Sequence, residues 1–195
     1  MTRPPNGPSD ASVVSQWLAA RSRALDADPD VAPPQLPDAV LVADIVGVAM
    51  GLRTGHESLL AAHALVRALV GAGFRAIALE GTTTTGERLN RWVKTGHGDP
   101  RALLAGGHPV LRNSETLAFL QWLRAHNLSN PTDPVELVHP VGPDTWAGLD
   151  DIETQMATTD LSWRERTGRR VVHLGGIAHL VAGGARTVEP AGTVG

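Results

Sequence analysis

The chain has no cysteine, so disulfides, thiolate metal sites and thiol nucleophiles are excluded and a cytoplasmic setting is expected. No stretch reaches the roughly 20 apolar residues needed to span a membrane. The first ten residues are rich in Pro and polar side chains and lack the apolar segment of a signal peptide. Lys94 is the only lysine. With Ala, Gly and Pro abundant, that reads as GC-rich coding, as in actinobacteria, rather than as chemistry that needs Arg. The charges are scattered, with no basic stripe. A net charge of -3 and a pI near 6.2 exclude a polyanion-binding surface as the main business.

Several motifs are also missing. Without a Gly-x-Ser-x-Gly elbow, a serine hydrolase is not indicated. No His-Glu-x-x-His or clustered ligand spacing supports a zinc site, and His173 and His179 on either side of a turn are poor evidence for one. Residues 81–86 offer hydroxyls and amides, but without the lysine and spacing of a phosphate loop they read as a helix-capping turn. No metal and no cofactor are expected, and neither nucleic acid nor membrane is expected as a partner.

What is present suits one globular domain: 195 residues, 42% of them hydrophobic, enough for a core without staples. Residues 1–9 read as a disordered arm, 10–185 as a single α/β domain and 186–195 as a flexible tail. From Asp10, a plausible N-cap, Val13, Trp17, Leu18 and Leu25 recur at helical spacing. Residues 26–37 hold four prolines and read as a linker. Apolar runs at 45–49, 74–79, 135–138 and 170–174 are too short for helices and fit buried strands. Between them, Leu59, Ala62, Val66, Leu69 and Val70 trace one helical face. Leu89, Trp92 and Val93 share another, capped by Thr84 or Thr85. Asp99-Pro100 has the form of an N-cap with Pro at the first helical position. Asn113 or Ser114 caps a helix facing inward with Leu117, Leu120 and Leu123. Residues 144–165 read as one long helix or a broken pair. After residue 174, a Gly-rich turn and a short helical piece are expected.

Short strands alternating with amphipathic helices predict a parallel sheet of about four or five strands, with helices on both faces. Ligands bind such sheets beyond the carboxyl ends of the strands. Those ends place Met50, Arg53, His56, Glu57, Glu80, His139 and His179 within reach of one cleft. Glu80, ending a buried strand, needs a partner, and Arg53 is the obvious one. Glu57 can equally complement a helix dipole, His56 can be solvated, and His179 can cap or pack. His63, His97, His108 and His126 are expected at the surface or in packing roles.

Three stretches resemble the erythromycin esterase-like family, named for enzymes that hydrolyse the macrolide lactone. The family's first signature, Gly-Glu-Ala-Thr-His-Gly-Thr, a variable residue and Glu, is matched by Ala49-Met50-Gly51-Leu52-Arg53-Thr54-Gly55-His56-Glu57. The second match is Gly73-Phe74-Arg75-Ala76-Ile77-Ala78-Leu79-Glu80. It continues through Leu89-Asn90-Arg91-Trp92-Val93, Gly98-Asp99-Pro100, Arg112-Asn113 and Trp122-Leu123-Arg124-Ala125-His126-Asn127. The third, Val171-Val172-His173-Leu174-Gly175-Gly176-Ile177-Ala178-His179, is similar to Val-Val-x-Trp-Ala-His-Asn-Ala-His.

The resemblance implies an erythromycin esterase-like sheet with its site at the strand ends. It also implies that much of the family's catalytic set is replaced. The family's glutamate is Met50, the histidine taken as its general base is Arg53, a helix arginine is Ala62, and the first histidine of the third signature is Gly176. Glu80, Glu57 and His179 remain. The family's helical insertion and longer C-terminus are expected to be missing, leaving a shallower, wetter cleft and favouring a homo-oligomer. Met50 cannot exchange a proton and Arg53 stays protonated, so inherited ester hydrolysis is expected to be lost. Whether the chain is an enzyme stays open between two readings. In one, Glu80, His56, Glu57 and His179 are catalytic, and Arg53, Met50 and His139 bind a small cyclic or polyketide-like natural product. In the other, the chain is a catalytically silent protein that binds a ligand or partner.

Overall fold

The computed structural model describes residues 10–21, 34–80, 83–138 and 149–180. Their elements run α1 (Asp10–Arg21), α2 (Asp38–Leu41), β1 (Ile45–Met50), α3 (His56–Gly71), β2 (Phe74–Leu79), α4 (Thr83–Thr95) and α5 (Pro100–Ala105). A 3-10 turn (Pro109–Leu111) follows, then α6 (Ser114–Ser129), β3 (Glu136–Val138), α7 (Leu149–Thr167), β4 (Arg170–Gly176) and α8 (Ile177–Leu180). The four strands form one sheet in the order β1-β4-β2-β3, and every pairing is parallel. The chain is therefore α/β, with all four strand ends on one edge.

The topology follows from the handedness of crossovers. The chain moves one way across the sheet from β1 to β2 to β3, then turns back to insert β4 between β1 and β2. Right-handed connections put elements travelling in opposite directions on opposite faces. Accordingly α3 and α6 cover one face through Val66, Leu69, Leu120 and Leu123 against Val48, Ile77, Leu79, Val172 and Leu174. The other face is thinner: Trp163 of α7 packs on Ala76, Ala78 and Val171. Small strand residues there let α7 and α8 approach closely.

Local signals largely decide the helix ends. The Asp99 side chain accepts from the Arg101 amide at 2.9 Å, and Asn113 accepts from the Thr116 amide at 2.7 Å, so both are N-caps. The expected inward faces of α3, α4 and α6 are all buried. Gly73 ends α3 with φ 96°, a backbone state that disfavours side chains.

Three details depart from the sequence reading, while α7 is a single helix over 149–167, one of the two forms expected. Helix α4 already begins at Thr83, so Thr84 and Thr85 lie inside it rather than capping it. The short α2, without buried residues, gave no periodic signal. Finally, β4 runs on through Gly175 and Gly176, paired with Ala49 and Met50, where a turn was expected. Glycines in a strand mark close approach of other groups, and here those groups are Glu80 and Arg53. Leu25, most of the linker, the residues before 10 and the tail after 180 lie outside the described residues.

Candidate active site at the strand ends

Glu80 is the centre of the strand-end edge. It follows directly on β2 and is only 5% exposed, so its charge must be met by specific partners. Arg53 donates from Nη1 to Oε2, as the sequence suggested. The Gly176 amide donates to Oε1 at 2.6 Å, a contact made possible by the extension of β4. A side chain at Gly175 would come within 2.8 Å of the same oxygen, so glycine there keeps the space that the carboxylate fills.

His179, carried by α8, faces the same oxygen, with Nε2 4.0 Å from Glu80 Oε1. Its Nδ1 lies 3.3 Å from Glu153 Oε1 of α7. A carboxylate on one imidazole nitrogen fixes the tautomer and points the other nitrogen at the site. The structure thus places Glu80, Arg53 and His179 together and adds Glu153. Nothing in the spacing of α7 singled out Glu153.

His56 and Glu57, expected among the catalytic residues, do not join them. Both are exposed. His56 Nδ1 lies 2.5 Å from Glu115 Oε1 at the start of α6. That hydrogen bond raises the His56 pKa and lowers that of Glu115. Glu57 occupies the first turn of α3, where a negative charge complements the helix dipole. Helix α3 begins at His56, so the two side chains stand on its first turn, His56 against Glu115. His139 lies outside the described residues.

Met50 and Arg53 line a nearly enclosed apolar cavity together with Leu59, His63, Phe119 and Leu174, its free volume about 20 Å3. That is room for one water. His63 stacks on Phe119 with ring centroids 4.4 Å apart. Burial, with help from Arg67, pushes its pKa down to about 4. It is a packing residue, as expected. His108, also expected to be peripheral, is close enough to Glu80 and Arg53 to feel both charges, while burial is the main cause of its lowered pKa. Its Nδ1 accepts from the Val110 amide at 3.4 Å. No group of three or more metal-ligating side chains occurs among the described residues, and no helix among them is long and apolar enough to cross a membrane.

Residues 71–169 match the family model described as Erythromycin esterase. That is more than half of the chain. The chain belongs to the erythromycin esterase family. A Bacillus cereus protein of known crystal structure is 28% identical, with TM-score 0.59; the similarity covers 68% of this chain and 33% of that one. The chain therefore spans about a third of that relative's length. A solved succinoglycan biosynthesis protein superposes with TM-score 0.71 over 88% of this chain and 67% of that one. At 13% identity it speaks for the fold alone. No curated protein matches the chain. The stretch matched by the erythromycin esterase model includes Glu80 and Glu153 but begins after Arg53 and ends before Gly176.

Proposed function

We propose that this erythromycin esterase-family domain has lost ester hydrolysis and serves as an acid–base catalyst on a small cyclic, polyketide-like molecule. The observation that carries the reading is the Arg53–Glu80 ion pair. A permanent guanidinium stands where the family signature has a titrating imidazole, and it cannot activate water. Met50 beside it has no exchangeable proton. The strand ends nevertheless keep one imidazole oriented by a carboxylate, that of His179 on Glu153, and imidazole is the side chain suited to proton transfer near neutrality.

In this reading His179 Nε2 removes a proton from carbon next to a carbonyl and returns it at a neighbouring position. Such a step serves isomerisation, dehydration or cyclisation. Arg53 is 33% exposed at its side chain, so N–H groups not used by Glu80 are available to an enolate oxygen. Glu80 is pinned by Arg53 and the Gly176 amide, and its fixed negative charge favours the imidazolium formed during transfer.

Met50 and Arg53, neither of which can move a proton near neutrality, favour a second reading, a silent ligand- or partner-binding protein. Solvent deuterium exchange into a panel of cyclic β-keto esters, followed by NMR, separates the two. Exchange that is lost in His179→Asn supports catalysis. Saturable binding without exchange supports the silent protein, and exchange that persists in His179→Asn contradicts the role of His179.

A further inference from the structure

A second imidazole–carboxylate pair lies on the α7 face of the sheet. His173 stands on β4 in register with Gly47 of β1 and Ala78 of β2. Its Nδ1 is 2.6 Å from Asp160 Oδ2 of α7, and the two side chains are 5% and 6% exposed. Imidazole is the stronger base of the two, so Nδ1 carries the proton of this bond. His173 Nε2 and Asp160 Oδ1 are also buried, and neither has a hydrogen-bond partner. Native structures rarely leave such atoms unmet, and each instance calls for an explanation.

Strand β4 carries the pair to the edge of the strand-end site. Residues two apart on a strand share a face, so Gly175 follows His173 on the same side. A Cβ built on Gly175 would lie 3.4 Å from His173 Nε2 and 2.8 Å from Glu80 Oε1. The Nε2 edge of the ring and the Glu80 carboxylate therefore flank one bare stretch of backbone. Oε1 is also the oxygen that the Gly176 amide holds at 2.6 Å and that His179 Nε2 faces at 4.0 Å. Arg53 takes the other oxygen.

Charge decides what lies between the two residues. Asp160 and Glu80 are both buried carboxylates, and a buried carboxylate needs a counter-charge. Glu80 has Arg53, whereas the ion-pair partner of Asp160 among the described residues is His173. An imidazolium supplies that charge, and it donates from both nitrogens. Nδ1–H then goes to Asp160 and Nε2–H is turned toward Glu80 Oε1, so the nitrogen otherwise left unmet faces an acceptor.

We propose that His173 is a positioning residue of the strand-end site: as an imidazolium bridging Asp160 and Glu80, it holds Glu80 Oε1 in place beside His179. The bridge itself is a matter of protons and charge, and only its effect on turnover rests on the acid–base reading above. Nitrogen NMR of the full chain with labelled histidine reads the bridge without turnover. Both His173 nitrogens are expected to carry hydrogen at neutral pH, the Nε2–H being protected from exchange with water and its signal displaced in Glu80→Gln. Arg53→Met combined with Glu80→Gln removes the same carboxylate without stranding the guanidinium, and should displace the signal as well. A bare Nε2, or an Nε2–H signal that neither variant moves, would overturn the proposal. His173→Phe combined with Asp160→Leu replaces the pair by apolar side chains, an exchange that buried ion pairs often tolerate. In deuterium exchange into cyclic β-keto esters, this variant should lose about ten-fold in kcat with KM little changed. An unchanged kcat in the folded variant would reduce the pair to a structural one and defeat the positioning role. A parent protein that exchanges no deuterium would sink the acid–base reading instead, while the NMR signals still decide for or against the bridge.

Discussion

Arg53 occupies the space in which a side chain at position 176 would begin: a Cβ built on Gly176 would lie 3.0 Å from Arg53 Cδ and 3.1 Å from its Nε. Arginine at 53 and glycine at 176 therefore fit one another. The Arg53 side chain fills the room that glycine leaves. Arg53 cannot swing away without giving up Glu80, whose charge would then be buried without its cation.

A histidine returned to position 176 should accordingly clash. Gly176→His is expected to cost about 1–3 kcal/mol, as overpacking does, and to cost much less in an Arg53→Ala background. Urea unfolding of the two single variants and the double variant measures the coupling. Additive effects would show that Arg53 and residue 176 do not share the space.

Neutralising Glu80 should weaken the fold through the groups left behind. Glu80→Gln deprives the Arg53 guanidinium and weakens the bond to the Gly176 amide, with an expected loss of about 1–3 kcal/mol. Solvent reaching Arg53 keeps the cost below that of a fully buried pair. Arg53→Met together with Glu80→Gln should recover part of the loss, and chemical denaturation of the four proteins tests it.

Acid should unfold the protein partly through His63. Its folded pKa of about 4 lies below the 6.5 of an ordinary histidine, so the unfolded chain binds the proton more readily between those values. The contribution of neutral His63 is fully present above about pH 6.5 and is lost as the pH falls toward 4. It amounts to an order of 3 kcal/mol. His63→Phe, which keeps a ring against Phe119, should flatten this part of the profile when denaturation midpoints at pH 7 and pH 4.5 are compared with the parent.

The surface pair His56–Glu115 gives the opposite sign. The hydrogen bond from Glu115 raises the His56 pKa, so whatever the charged pair contributes is present at lower pH and fades as the pH rises through that elevated value. An NMR titration should find the His56 midpoint above that of an ordinary histidine. Glu115→Gln should bring it down, while deuterium exchange at the strand-end site stays unchanged.

Much of this architecture was legible because it rests on periodicity and local chemistry. The α3 and α6 faces, the short apolar strands and the caps at Asp99 and Asn113 are each written within a few residues. So was the Glu80–Arg53 pair, since a carboxylate ending a buried strand needs a cation. The strand run through Gly175 and Gly176 was not legible, because glycine signals a turn unless a neighbour demands its bareness. That neighbour, Glu80, is about a hundred residues away. Asp160, His173 and Glu153 escaped for the same reason: their pairing across α7, β4 and α8 depends on tertiary placement and follows no spacing. That His56 and Glu57 open α3 was not legible either, because a strand-end loop and the first turn of a helix look alike in sequence.

The account stands most directly on whether water can be activated here. Incubating the protein with a macrolide lactone and following the product by mass spectrometry should reveal no species heavier by one water above the enzyme-free rate. Rapid appearance of the ring-opened acid, abolished by Glu80→Gln or His179→Asn, would contradict the claim that the arginine at position 53 ended the family's hydrolysis.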